Sequence, residues 1–251
     1  LATESLDNQT KIYLLIVDNI AFTEKITMTT ASYIFLAGAS RGVGREIAKC
    51  LIAQQQKVKA LLRTEAARDE LEAMGVQVVL GDALNSEDVE SAMLGEPIHA
   101  VISTVGGLPQ VSERADYLGN KNLIDAAVKA KVRSFLLVSS IGSGDSVVAL
   151  NPQALETLRS VLIEKEKAEK HLIDSGLTYT IIRPGGLKSE AATGNAILTE
   201  DPRIAGIINR ADVAQLVCRC LNSDKANNKV LSAIDKNMLF GQIEFEEFSL
   251  D

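Results

Sequence analysis

Apolar residues in this chain fall into short unbroken runs, and the stretches between the runs carry helical spacing. The runs cover residues 33–37, 57–62, 76–80, 100–104, 134–139 and 178–183. Continuous rather than alternating apolarity predicts strands buried on both faces, as in a parallel sheet with helices on each side. Helices are expected from Gly42 onward, over 65–74, from Ser86 to the break at Gly95-Glu96-Pro97, in a long stretch ending at Ala130, and over about 154–175, where Gly176 stops it. Glu87 and Asp88 follow Ser86, where a helix dipole favours negative charge. With right-handed crossovers this alternation gives a single α/β domain, a doubly wound parallel sheet flanked by helices.

The 251 residues suit one domain with a sizeable core, and nothing in the composition divides them into two. Residues 1–31 read differently, as an extension of the 32–251 domain. They begin without methionine, and their one apolar run, 12–17, is too short to span a bilayer. Acidic residues without arginine argue against a transit peptide there, and Met28 is a natural start. A net charge of −7 with no dense basic run disfavours a nucleic-acid surface. Cys50, Cys218 and Cys220 lack the spacing of a disulfide framework or a metal site, and with only His99 and His171 beside them no metal is expected. They read as small buried hydrophobes in a reducing compartment, so the protein is expected in cytoplasm or plastid stroma and not secreted.

The candidate chemistry begins where the first run ends. Gly38-Ala39-Ser40-Arg41-Gly42-Val43-Gly44 joins a strand to a helix, the arrangement that lets backbone approach a diphosphate while a helix N-terminus faces the anion. Gly38 would make the tight turn, Gly42 the close approach and Gly44 the contact between helix and strand. At the end of the second run, where NAD-binding proteins usually carry an acid, stands Arg63. A guanidinium there favours a ribose 2′-phosphate, with Arg41 closing from the other side, so NADP(H) is preferred over NAD(H). Ligands of such sheets lie beyond the carboxyl ends of the strands. That selects Asp82 and Ala83, to meet the adenine amino group; Thr104, Val105, Gly106 and Gly107, to line ribose and diphosphate; Ser139 and Ser140; and Pro184, Gly185 and Gly186, to bound the nicotinamide.

The glycine turn, Gly81-Asp82-Ala83, the segment 119–127, Leu137-Val138-Ser139-Ser140, the segment 168–186 and Arg210-Ala211-Asp212-Val213-Ala214 together resemble the atypical short-chain dehydrogenase/reductase family. Over about 32–234 the chain is similar to its NAD(P)H-binding branch, which includes plant quinone-oxidoreductase-like proteins, TIC 62-like chloroplast proteins, biliverdin/flavin reductases and NmrA-like redox sensors. The resemblance implies a Rossmann fold, a late helix opening at Arg210, and cofactor-lining positions at Gly38, Ser40, Arg41, Gly42, Val43, Arg63, Asp82, Ala83, Thr104, Ser139, Lys165 and Pro184.

Two departures matter. The glycine spacing is that of typical short-chain enzymes rather than of the atypical branch. In active relatives a tyrosine four residues before a lysine donates the proton while the lysine lowers its pKa and holds the ribose. Lys165 takes the lysine position, but Val161 stands where the tyrosine would be. The literal pair Tyr117 and Lys121 precedes the fifth run, in a segment the family uses as a structural helix. Lys165 is a candidate ribose ligand in a helix whose alternating Lys and Glu also suit a solvated surface. Ser139 or Ser140 is a candidate partner for a substrate carbonyl. The leading expectation is an NADPH-dependent reductase passing hydride to a small planar acceptor, a quinone or flavin, without a tyrosine acid. The alternative is a non-catalytic redox sensor or scaffold with a protein partner, and an alcohol or ketone dehydrogenase ranks last. The small residues Ala191-Ala192-Thr193-Gly194-Asn195 suggest a mobile lid within 187–204 over the nicotinamide. The short region after residue 234 disfavours large nucleotide-sugar substrates.

Overall fold

Aliphatic runs without polar interruption find a stable place inside a sheet covered on both faces; five of the six runs take that place here, and the run at 76–80 lies half-buried at the sheet's edge. The computed structural model describes residues 32–106 and 115–251; the 1–31 extension and the 107–109 part of the loop after the fourth run lie outside the described residues. Strands β1 (Tyr33–Ala37), β2 (Val58–Leu62), β3 (Gln77–Leu80), β4 (Ile98–Ser103), β5 (Ser134–Val138) and β6 (Thr178–Pro184) follow the runs to within a residue or two. Between them lie α1 (Gly42–Ala53), α2 (Arg68–Ala73), α3 (Ser86–Met93), α4 (Leu118–Lys129) and α5 (Pro152–Asp174), with α6 (Arg210–Leu221) later. The helix expected over 65–74 opens with a 3-10 turn, Glu65–Ala67, before α2. Asn85 and Asn151 cap α3 and α5, their side-chain oxygens accepting from the N–H groups of Glu87 at 3.0 Å and Ala154 at 2.8 Å.

Four strands add to these: β7 (Gly186–Lys188), β8 (Ala196–Thr199), β9 (Ile207–Asn209) and β10 (Lys229–Asp235). The eight-stranded sheet runs β3-β2-β1-β4-β5-β6-β10-β8, parallel throughout except for the antiparallel edge β8, and β7 and β9 form a separate parallel pair. Strand order reverses between β1 and β4, so the loops leaving these neighbours diverge and open a crevice at their carboxyl ends.

Side-chain alternation along β1 divides the core. Ile34 and Leu36 join Ile47, Leu51, Val213 and Val217 of α1 and α6 on one face. Phe35 and Ala37 join Val89, Leu123, Ile124, Ala168 and Leu172 of α3, α4 and α5 on the other. The three cysteines are free, Cys218 and Cys220 buried and Cys50 half-buried, all within α1 and α6.

Candidate functional site

The crevice at the carboxyl ends of the strands is a cleft of about 980 Å³. Its floor is the glycine turn. Gly38 has a φ of +94°, and a Cβ there would lie 2.3 Å from the Thr104 hydroxyl oxygen; a Cβ on Gly44 would lie 2.1 Å from the Gly38 carbonyl oxygen. Only glycine permits this approach of helix, turn and neighbouring strand. The Thr104 hydroxyl sits 3.3 Å from the Ala37 carbonyl and 3.2 Å from that of Gly38, so its proton is committed to the turn. Arg45, which the sequence did not single out, donates to the carbonyls of Ala39 at 3.2 Å and Ser40 at 2.6 Å and pairs with Glu70.

No side chain caps α1, and a Cβ on Gly42 would meet only Arg210 within 4 Å. The N-terminus of α1 is thus uncapped, with open space beside Gly42 apart from Arg210. That cradle fits the diphosphate of a dinucleotide. Gly38, Ser40, Arg41, Gly42 and Val43 line it, whereas Gly44 lies beneath as the helix-to-strand contact.

At one end of the cleft Arg63 and Arg41 are exposed on its rim and make no ion pair among the described residues. The Asp82-Ala83 turn lines the same end. One Asp82 oxygen accepts from Leu84 N–H at 3.0 Å, the Asp82 N–H donates to Asp88 at 2.9 Å, and Asn122 donates to the Ala83 carbonyl at 2.9 Å. Val105 and Gly106 line the middle, and Gly107 lies outside the described residues.

The other end is walled by α5. Val161 and Lys165, one turn apart, face the cleft, while Leu162, Ala168 and Leu172 enter the core. The Lys165 ammonium is 3.6 Å from the buried Asp116 carboxylate. Lys167 and Lys170 pair with Glu164 and Glu166 on the surface. Glu169 departs from that surface pattern, being only 2% exposed. Its carboxylate accepts from Arg183 at 3.2 Å and 2.7 Å and from the Ser139 hydroxyl, and Arg183 reaches on to Asp145. Burial disfavours the Arg183 charge, yet the Glu169 and Asp145 carboxylates outweigh it and hold the guanidinium above its ordinary pKa. Ser139, one of the two serines named for a substrate carbonyl, lines the cleft while its hydroxyl donates to Glu169. Ser140 also lines the cleft, its hydroxyl donating to the Ile141 carbonyl at 3.0 Å.

Pro184 and Gly185 close this end. Gly186 does not: it belongs to β7, exposed and paired with Ile207 of β9, outside the cleft lining. Leu187 and Ser189 form the wall instead, together with Arg210, whose guanidinium donates to Ser189 Oγ at 2.7 Å. The small residues at 191–195, where a lid is expected, are tied to α6 and β10. Buried Asp212 accepts from the N–H groups of Thr193 (2.9 Å to one oxygen) and Gly194 (3.1 Å), the Thr193 hydroxyl donates to Asp235, and Asn209 donates to the Ala191 carbonyl at 2.9 Å. These bonds, with one from the Lys236 N–H to the Asn195 carbonyl at 3.1 Å, tie the segment to α6 and β10, and β8 continues it into the sheet. Tyr117 and Lys121 lie away from the cleft lining. Lys121 pairs with Asp125 at 2.6 Å, Asp125 also holds His171 at 2.7 Å, and the Tyr117 ring meets His171 edge-on. No cluster of three metal-ligating side chains occurs among the described residues, and no helix among them is long and apolar enough to cross a membrane.

Comparison with known proteins agrees with this geometry. The family model described as NAD(P)H-binding matches residues 38–224. An uncharacterised chloroplast protein of Arabidopsis thaliana is 33% identical over 80% of this chain and 76% of its own length. The sanguinarine reductase of Eschscholzia californica is 31% identical over 78% of this chain and 86% of its own. Among solved structures, ChuY, an anaerobillin reductase of Escherichia coli O157:H7, superposes with a TM-score of 0.75 at 36% identity, covering 82% of this chain and 98% of its own. A cleft at the switch point, a glycine turn beneath an uncapped helix and these relatives agree: the chain belongs to the NAD(P)H-binding family, as an oxidoreductase-type Rossmann protein of the atypical short-chain dehydrogenase/reductase class.

Proposed function

We propose that this protein is an NADPH-dependent reductase that passes hydride to a small planar acceptor, such as a quinone or flavin, without a tyrosine acid. The observation that carries this reading is the cleft's composition: guanidinium groups of Arg63 and Arg41 at one end, and Val161, Val138 and Leu187 at the other, where a proton donor would stand. The two relatives named as reductases support a reductive role. Bound NADPH would supply the hydride. The chain's own residues bind and orient: Arg63 and Arg41 take the 2′-phosphate, the second Asp82 oxygen and Ala83 meet the adenine, and the turn from Gly38 to Gly44, with Ser40 and Val43, receives the diphosphate. Thr104, Val105 and Gly106 line the ribose and diphosphate, Lys165 holds the ribose, and Pro184 and Gly185 bound the ring. Ser139, its hydroxyl donating to Glu169, and Ser140 set the polar edge of the acceptor site. Val161 holds no proton to give, so solvent supplies it. The chloroplast location of several relatives supports residence in the plastid stroma, which fractionation of intact plastids tests.

The test is NADPH oxidation followed at 340 nm with a panel of quinones and flavins, with calorimetry of NADPH and NADH on the protein and on Arg63→Ala. Turnover on at least one acceptor is expected. Arg63→Ala is expected to weaken NADPH about tenfold or more, the loss of a charge-assisted bond, and to leave NADH nearly unchanged. Equal losses for both cofactors would remove the 2′-phosphate role. Tight binding without turnover on any acceptor would move the assignment to a redox sensor or scaffold, which the valine at position 161 also suits.

A further inference from the structure

Arg210 is the first residue of α6, and its guanidinium is fixed without being neutralised. One terminal nitrogen donates to Ser189 Oγ at 2.7 Å and lies 3.4 Å from the Leu187 carbonyl. Among the described residues no carboxylate pairs with it, and its remaining donors meet no protein acceptor. Those donors face a particular place. The Nε atom lies 3.7 Å from the point that a Cβ on Gly42 would occupy, and Gly42 opens the uncapped helix α1. Helices α1 and α6 pack side by side, and both begin at the cleft, since Gly42 and Arg210 each line it.

An arginine held by neutral acceptors keeps its full charge and a preset fork geometry, which favours a ligand with paired anionic oxygens. Arg63 stands at the end of β2, where the 2′-phosphate belongs, whereas Arg210 stands over the turn, where the diphosphate belongs. We propose that Arg210 is a diphosphate-binding residue, clamping the cofactor against the glycine turn from the opposite wall. The diphosphate then lies between the N–H groups of α1 on one side and a guanidinium carried by α6 on the other. Ser189 acts as a positioning residue by holding that guanidinium at the wall. The clamp rests on dinucleotide binding, not on hydride transfer, so a protein that binds NADPH without turning it over still contains it.

Because NADPH and NADH share the diphosphate, the proposal differs in its readout from the 2′-phosphate role of Arg63. Arg210→Gln keeps a neutral donor for Ser189 and removes the charge; Arg210→Lys keeps charge without the fork. Calorimetry of the full chain with NADPH and with NADH is expected to show Arg210→Gln weakening both by a common factor, about tenfold to a hundredfold, with Arg210→Lys intermediate. Melting temperatures without cofactor should stay close to that of the parent protein. Affinities within twofold of the parent for both cofactors would overturn the clamp, and an accompanying rise in the KM for the acceptor would assign the guanidinium to the acceptor instead. A loss confined to NADPH would also overturn it, placing Arg210 on the 2′-phosphate. So would a fall in melting temperature matching the affinity loss in both variants, which would make Arg210 a tie for the 187–189 segment only.

Discussion

Residues that carry the cleft differ in how openly the sequence declares them. Gly38 and Gly44 are legible because their roles are local: a turn and a close approach within one strand-turn-helix unit leave a spacing that can be read. Lys165 and Val161 are legible as a pair four apart on one helix face. Glu169 is not, because it sits in a Lys/Glu alternation that elsewhere on α5 does form surface pairs, and only the packing of β6 beneath it shows that it meets Arg183. Thr104 stands where a cofactor residue is expected yet spends its proton on the turn. The Glu169 network gives a prediction at this scale. Glu169→Ala leaves the Arg183 guanidinium buried with Asp145 as its one remaining carboxylate, and is expected to cost about 3 kcal/mol or more in urea unfolding. Glu169→Gln, which keeps an acceptor, should cost less. Equal, small costs for both would mean that Arg183 finds water when Glu169 is removed.

At the scale of elements, strands β1, β2, β4, β5 and β6 were readable because each is an interior strand whose burial on both faces writes an apolar run, and β3, half-buried at the sheet's edge, was readable from its β-branched residues. Strands β7 and β9 have three residues each, and β8 is an antiparallel edge strand of four, too short for any pattern to stand out. The small residues at 191–195 suggested motion because the groups they bond to lie elsewhere in the chain: Asp212 in the first turn of α6 and Asp235 at the end of β10. Asp212→Ala removes a carboxylate that receives the Thr193 and Gly194 N–H groups, so hydrogen exchange at those two amides is expected to speed by about tenfold or more while β1 and β4 exchange as before. Unchanged protection at 193 and 194 would show that the Asp235 and Asn209 contacts suffice to hold the segment.

For the molecule as a whole, the doubly wound order followed from alternation alone, but the insertion of β10 between β6 and β8 did not, since no local signal tells a late strand which neighbour it will join. Cofactor binding at the switch point of the eight-stranded sheet should stabilise the domain as a unit. NADPH at a hundred times its dissociation constant adds about 2.7 kcal/mol, which for a domain of this size corresponds to a rise in Tm of roughly 5–10 °C. NADH at the same concentration should raise it less, and equal shifts would argue against selection by Arg63. The place of β10 also bears on time. Strand β8 joins the sheet through β10, and Asp235, the last residue of β10, holds Thr193 in the segment that leads from the cleft wall into β8. A nascent chain can therefore form its glycine turn early, yet that segment gains its last anchor only when a strand made some forty residues later has docked. Competence to grip a dinucleotide at both ends arrives late in folding, and the ligand would recognise finished molecules in preference to partly folded ones.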